Sequence, residues 1–216
     1  MNSVALPDPS RILVAIPSLD RRIDMGTING LFQCAHLFAG PPHLYGGNSD
    51  IALTRNEIAH RFVEERTDCD WFMEIDSDIE FTLSDWLILW EGNEDIVTSA
   101  YAKKKIGEPP SQLGLGFTRV HRSVFERMRD LRNDDGTETV PVFYHKGKVM
   151  RAYYTTGPSP DSRWVGEDNS FYFRAGLIDA SYRIETRTRL NHIGPFPYGY
   201  PQQIPEYSVM TEQGAN

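Results

Sequence analysis

Two carboxylates close a strongly apolar stretch of the sequence and are the residues best suited to metal chemistry. The segment 70–75 predicts a buried strand, and Asp76 and Asp78 follow it directly, one residue apart. In a parallel α/β sheet, ligands bind beyond the carboxyl ends of the strands. Paired carboxylates repel each other unless a cation neutralises them, and such hard oxygen ligands suit Mg²⁺ or Mn²⁺, with substrate phosphates completing the shell. The sequence therefore predicts a divalent metal site at this turn, the alternative being a solvated acidic turn.

Two groups of cations could serve the phosphates of such a site. Arg55 lies on the apolar face of a helix predicted to begin near residue 50, so we expect its side chain to point inward. The guanidinium and the helix N-terminus would together receive a phosphate or a base carbonyl. In the alternative, Arg55 extends its charged end to solvent, or pairs with Glu57 or with a carboxylate at the sheet edge. Lys104, within the lysine run 103–105, either balances a diphosphate or lies in a solvated loop.

Three later residues could complete a reaction centre. Glu167 and Asp168 precede an aromatic-rich stretch that predicts a helix over 167–175. One of these carboxylates could act as a general base on an acceptor hydroxyl, although acidic residues are also favoured at any helix start by the helix dipole. His192 is the histidine that could supply a third metal ligand, the alternative being a purely structural imidazole.

Alternating strands and helices place these residues at one edge of a sheet. The first half predicts strands at 11–16, 70–75 and 95–101 and helices over 23–38, 50–66 and 83–91. The second half predicts a strand and helix over 114–131, a hairpin over 140–154 and the helix over 167–175. We expect an α/β, Rossmann-like sandwich, with a central, mostly parallel sheet flanked by helices and a small β-hairpin in its second half.

The composition limits the classes of protein to which this chain can belong. The 216 residues are 40% hydrophobic and 24% charged, which is typical of a globular chain, and the length suits a single domain over 1–216. The net charge of −8 argues against a general nucleic-acid binder. Cys34 and Cys69 are too few for a disulfide framework and suit a reducing compartment. Because we find no signal peptide and no apolar run of about 18 residues, we expect a cytoplasmic protein without a membrane partner.

In their order and spacing, these motifs resemble the metal-dependent GT-A class of nucleotide-sugar glycosyltransferases. The resemblance spans residues 11–194, and it rests on the combination, because each motif is weak alone. The matching segments are the strand and turn 12–20, Thr54-Arg55-Asn56, Asp76-Ser77-Asp78, the glycine-rich segment 114–126, the Glu-Asp segment 164–171, and His192 with Gly194.

The resemblance implies a role for each site residue. Asp78 and His192 would bind Mn²⁺ or Mg²⁺, and Asp76 would reach the ribose and the metal. Asp168, with Glu167 beside it, would be the base of an inverting hexosyl or related transfer. The nucleotide of a UDP-sugar donor would be held by Pro17, Ser18, Asp20 and Arg55, with Lys104 near its diphosphate. On this basis residues 11–105 form a nucleotide-binding half, 106–194 an acceptor half and 195–216 a tail.

The acceptor and the competing functions remain open at this stage. Compact proteins of this style resemble a group encoded by phages and their hosts, which suggests a hydroxymethylpyrimidine base of DNA as acceptor and, for a viral chain, the host cytoplasm as location. A basic surface in the second half could bind such DNA; its candidates are Arg119, Arg122, Arg127, Arg129, Arg132, Lys146, Lys148 and Arg151. The first alternative is a nucleotidyltransferase or pyrophosphorylase, although the turn 17–22 lacks the expected glycines. The second is a non-catalytic sugar-nucleotide or DNA-binding module.

Overall fold

A computed structural model describes residues 6–38, 40–47, 50–102, 113–158 and 162–194, together with the backbone of 197–199. The helices are α1 (Met25–Cys34), α2 (Ile51–His60), α3 (Leu83–Leu89), α4 (Arg122–Asp130) and α5 (Glu167–Leu177). The strands of the first half are β1 (Ile12–Ser18), β2 (His43–Gly46), β3 (Trp71–Ile75), β4 (Ile79–Glu80) and β5 (Ile96–Ser99). Those of the second half are β6 (Phe117–His121), β7 (Val142–His145), β8 (Lys148–Arg151), β9 (Gly157–Pro158), β10 (Trp164–Val165), β11 (Tyr182–Glu185), β12 (Asn191–Ile193) and β13 (Pro197–Gly199).

The central sheet has six strands in the order β11-β5-β6-β3-β1-β2. Strand β6 runs antiparallel to both β3 and β5, whereas the other neighbours pair in parallel. Strand β1 is buried along its whole length, as its unbroken apolar run requires of a strand covered on both faces. The predicted fold class, an α/β sandwich with a mostly parallel central sheet flanked by helices, is confirmed.

Two apolar cores cover the two faces of this sheet. On one face α2, α4 and α5 pack around Phe62, Phe125 and Phe171, all fully buried. On the other face α1 and α3 enclose Trp86 and Phe117. Helices cover both faces of this sheet, and the candidate residues lie in the loops at the strand ends, where ligands bind in such sheets.

The predicted helices and buried strands are present, with shifted ends. Helix α2 begins where predicted, because the side chain of its N-cap Asp50 accepts a hydrogen bond from the Leu53 N–H. It ends at His60 and passes into a π-helical turn over Arg61–Glu65, which carries the chain to the predicted end. The hairpin of β7 and β8 also forms within the predicted 140–154.

Several short strands escaped prediction. Strand β2 lies at the edge of the sheet, and β4 is two residues long and pairs with β12 in a small antiparallel sheet with β13. Neither segment carries the alternation or apolar run that marks a strand. In the described parts of the chain, we find no helix that is both long and apolar enough to cross a membrane.

Candidate active site

The turn 76–78 is fixed by backbone hydrogen bonds from three directions. The Asp76 N–H donates to the Gly116 carbonyl (2.8 Å), which ties the turn to the start of β6. The Ser77 carbonyl accepts from the Asp24 N–H (2.8 Å) at the start of α1. The Thr27 hydroxyl, buried in α1, donates to the Ile79 carbonyl (2.9 Å). Asp76 and Asp78 therefore stand on a rigid support at the carboxyl end of β3.

His192 reaches this turn because β12 pairs with β4, which follows the two carboxylates. In that pairing His192 lies opposite Ile79, and the Ile193 N–H donates to the Asp78 carbonyl (2.7 Å). The imidazole Nε2 consequently lies 3.4 Å from Asp78 Oδ1. Residues 114 positions apart in the chain thus form one edge of the site.

The tautomer of His192 follows from its other ring nitrogen. Nδ1 lies 2.9 Å from the Ala102 carbonyl, which can only accept, so Nδ1 carries a hydrogen. Tyr101 packs edge-on against the ring, with 5.3 Å between centroids, and fixes its plane. In a neutral imidazole Nε2 then presents a lone pair toward Asp78. Orientation by a backbone carbonyl is the usual second-shell arrangement of a metal-binding histidine.

Arg55 lies at the centre of the site and is almost fully buried. Its Nη2 donates to Asp76 Oδ1 (2.9 Å) and its Nη1 to Glu167 Oε1 (2.6 Å), with Asp168 Oδ1 at 3.3 Å from Nη1. Its Nε donates to Glu74, which is also buried. The structure therefore shows the alternative in which Arg55 pairs with carboxylates of the sheet edge. A nucleotide contact by Arg55 would have to share these donors.

Four carboxylates around one guanidinium leave an excess of buried negative charge. Burial raises the pKa of Asp168 to about 7; Arg55 opposes the rise, while Glu167 and Asp76 add to it. Burial raises the pKa of Glu74 to about 7 as well, against the attraction of Arg55. Asp168 Oδ1 is buried and is held by its ion pair with Arg55 at 3.3 Å, without accepting a hydrogen bond from the described residues. A carboxylate with such a pKa and an unused acceptor position suits a general base at neutral pH.

Residues at the end of β1 also border the site. The buried Ser18 hydroxyl donates to the Arg22 carbonyl (2.9 Å), and Asp20 accepts from the Arg22 N–H (3.1 Å). Pro17 and Ser18 line the pocket, whereas Asp20 caps its own turn and is 60% exposed.

A pocket of about 230 Å³ brings most of the predicted residues together. It is lined by Pro17, Ser18, Leu19, Ile51, Arg55, Asp76, Ser77, Asp78, Glu167, Asp168 and His192. Asp20 is not among the lining residues, and Lys104 lies outside the described residues. The three predicted metal ligands and both predicted catalytic carboxylates thus face one space.

The donors present fit a divalent cation only in part. Asp78 and His192 offer an oxygen and a nitrogen close together, while Asp76 gives one oxygen to Arg55. Within the described ranges, no three acidic, histidine or cysteine side chains are arranged to hold an ion. A cation here would need ligand oxygens from a bound substrate in addition to those of the chain, which is the usual manner of Mg²⁺ binding at phosphates.

Three positions of this site escaped the sequence analysis. Glu74 interrupts the apolar run 71–75, and a carboxylate in a strand buried on both faces is a signal that could have pointed to a partner such as Arg55. Gly116 has no such signal, yet a Cβ there would lie 2.6 Å from Asp76 Oδ2. Tyr101 contacts both Gly116 and His192: its hydroxyl accepts from the Gly116 N–H (3.3 Å), and its ring packs on the imidazole.

The proposed basic surface does not form a free cationic face. Arg119 is buried between Trp71 and Trp90, and Arg122 donates to main-chain carbonyls beneath α4. The other six pair with carboxylates: Arg127 with Asp95, Arg129 with Asp130, Arg132 and Arg151 with Glu138, Lys146 with Glu57, and Lys148 with Glu65.

Comparison with known proteins identifies relatives in fold only. No protein-family model matches the sequence, and no curated protein matches it. Among solved structures, A197 from STIV is similar over 93% of this chain and 99% of its own, with 15% identity and a TM-score of 0.56. A glycosyltransferase involved in the glycosylation of the major capsid of PBCV-1 aligns over 81% of this chain and 82% of its own, with 14% identity and a TM-score of 0.44.

Proposed function

We propose that this protein is a metal-dependent glycosyltransferase that moves a sugar from a UDP-sugar to an acceptor hydroxyl. The observation that carries the proposal is the convergence of Asp78, His192 and Asp168 on one pocket at the carboxyl edge of an α/β sheet. A metal-dependent, base-assisted transfer from a nucleotide-sugar uses a cation site for the diphosphate and a base for the acceptor, and this pocket holds candidates for both.

In this proposal the metal-binding side of the pocket is Asp78 and His192, with Asp76 behind them. A bound Mn²⁺ or Mg²⁺ would supply charge stabilisation to the departing diphosphate. The site favours a cation because Asp76, Asp168 and Glu74 concentrate negative charge that Arg55 alone does not balance. Ser18 and Pro17 would contact the nucleotide from the end of β1, while Asp20 would act by shaping that turn.

The catalytic side is the start of α5. Asp168 would take the proton of the acceptor hydroxyl, which makes the oxygen a nucleophile as the glycosidic bond breaks. Arg55 would hold Glu167 and Asp168 toward the pocket and link them to Asp76 on the donor side. A base that activates the acceptor on the face of the sugar opposite the departing diphosphate would give transfer with inversion.

The test is transfer and binding in matched variants. Asp168→Asn should spare the Mn²⁺-dependent binding of UDP and lower the turnover of a UDP-sugar by about 10²–10⁴-fold, the usual contribution of a general base. Asp78→Ala should abolish the binding itself. Asp134→Asn, in an exposed loop, is the control and should alter neither.

Acceptors should be screened alongside, with hydroxymethylpyrimidine DNA as one arm and free UDP release to water as the baseline. Normal turnover by Asp168→Asn would overturn the assignment of the base. A thermal shift with nucleoside triphosphates and none with UDP would instead favour a nucleotidyltransferase. Binding of UDP-sugar without any turnover across the acceptor panel would favour the non-catalytic module.

A further inference from the structure

A second cavity, of about 720 Å³, lies beside α5 and shares no lining residue with the candidate active site. Its volume is within the range of small-molecule sites. Pro158 and Val165, from the short strands β9 and β10, form one wall, and Phe173 and Leu177 form the other. Phe173 is 66% exposed and Leu177 45% exposed. Adjacent apolar side chains left open on one helix face mark a surface suited to an apolar ligand.

Two arginines, Arg163 and Arg174, line this cavity and favour an anionic ligand. Arg174 donates from Nη1 to the Tyr153 carbonyl (3.3 Å) and the Ser170 carbonyl (3.2 Å), and from Nη2 to the Thr155 hydroxyl (3.1 Å). All three acceptors are neutral, and no carboxylate of the described residues pairs with it. Burial lowers the pKa of Arg174, as expected for a cation without a counter-charge.

The geometry of the guanidinium leaves donors for a bound group. An arginine carries five N–H donors, of which three are used here. The Nε–H and one Nη2–H have no acceptor among the described residues. Two such donors on one guanidinium match the two oxygens of a carboxylate or a phosphate.

We propose that this cavity binds a small amphipathic anion, whose carboxylate or phosphate is held by Arg174 and whose aromatic or aliphatic body packs on Phe173 and Leu177. The site is independent of the proposed function, because it requires neither a metal nor a nucleotide. A ligand of this kind would cover the exposed apolar face of α5 and would also pair with the charge of Arg174.

The test uses three naphthalene probes on the intact chain in the presence of EDTA, so that no cation can recruit an anion to the carboxylate-rich pocket. Binding of 1-naphthyl phosphate, 1-naphthoate and neutral 1-naphthol is followed by calorimetry and by intrinsic tryptophan fluorescence, to which Trp164 contributes as a neighbour of Val165 that is 76% exposed. We expect one site per chain for the anions and binding at least tenfold weaker for 1-naphthol. The tighter of the two anions identifies the headgroup.

Two variants locate the binding. Arg174→Gln should weaken the anions at least tenfold and leave 1-naphthol unchanged, whereas Phe173→Ala should weaken all three probes. Arg129→Gln, paired with Asp130 on α4, and Phe32→Ala, exposed on α1, are the controls and should bind like the parent chain. Since Phe173 is exposed, its variant tests the site even if Arg174→Gln does not fold. Equal affinity for 1-naphthol, anion binding that survives both variants, or no binding of any probe would overturn the proposal.

Discussion

At the scale of single residues, the charge balance of the site depends on one arginine, which contacts more carboxylates than its single positive charge can neutralise. Arg55 contacts Glu74, Asp76, Glu167 and Asp168. Burial raises the pKa of Glu74 and Asp168, and repulsion from the neighbouring carboxylates adds to the rise; the same excess of negative charge makes the pocket attractive to a cation. The charge of Arg55 and its carboxylate partners therefore couples the proposed base, Asp168, to the predicted metal-binding residues.

The pKa of Asp168 leads to a pH dependence of transfer. A general base must be deprotonated, so kcat/KM should rise with pH and reach half its limit near pH 7, where Asp168 titrates. The measurement is the pH–rate profile of UDP-sugar turnover between pH 5 and 9. In Asp168→Asn the residual rate should lose this inflection; an unchanged profile in that variant would assign the inflection to another group.

Glu74 leads to a pH dependence of stability. Its folded pKa, about 7, lies above the ordinary value of a glutamate, so the folded state holds its proton more tightly than the unfolded state. This contribution to the free energy of unfolding is complete below the unfolded pKa and is lost as the pH rises through 7. Asp168 acts with the same sign.

Glu74→Gln should therefore flatten the decline in stability between pH 5 and 7.5, measured by urea denaturation in EDTA. The exposed Glu64→Gln is the matched control and should keep the slope of the parent chain. A slope that is identical in the parent chain and in Glu74→Gln would show that Glu74 is ionised throughout this range.

At the scale of elements, close packing holds the metal-side carboxylates in place. A Cβ at position 116 would lie 2.6 Å from Asp76 Oδ2 and 2.8 Å from the Tyr101 hydroxyl. Both groups border the site, and Tyr101 also packs on His192. Gly116 lies directly before β6, and because it has no side chain the turn 76–78 can approach this strand closely.

Gly116→Ala should displace Asp76 and reduce UDP-sugar turnover by about 10²-fold, as misplacements near 1 Å do. Gly176→Ala, within α5, would place its new methyl group in open space and should keep full turnover. By removing a helical glycine it should stabilise the fold by up to about 1 kcal/mol. Turnover by Gly116→Ala equal to that of Gly176→Ala would contradict this account of the packing.

The elements also show what the sequence could predict. Strands β1 and β3 were predictable because both faces are buried and their residues are mostly apolar, without a break in β1 and with Glu74 as the one charged residue of β3. The helix predicted to begin near residue 50 likewise starts there, with Asp50 as its N-cap. Strands β4 and β12 were not predictable, since two or three residues pair only because the tertiary fold brings them together.

At the scale of the whole molecule, the site depends on contacts between distant segments. Residue type makes His192 a candidate third metal ligand and the family resemblance assigns it to the metal with Asp78, but no local pattern predicts a strand pairing across 114 residues. For Arg55 the sequence predicts Glu57 or a carboxylate at the sheet edge as a partner, and it does not single out Glu74 and Glu167, because these lie on β3 and α5. Local sequence thus predicted the helices, the buried strands and the sheet edge that carries the site. The contacts between site residues could not be predicted in the same way, because they form only when the sheet is assembled.

The most direct test of the central claim is the titration of UDP into the protein with Mn²⁺ and with EDTA, followed by calorimetry, for the parent chain, Asp78→Ala, His192→Ala and the exposed control His36→Ala. If Asp78 and His192 share a cation that holds the diphosphate, UDP binds the parent chain and His36→Ala only when Mn²⁺ is present. Both site variants should then lose that binding while remaining folded. Equal binding of UDP in EDTA, or Mn²⁺-dependent binding that survives both site variants, would contradict the account.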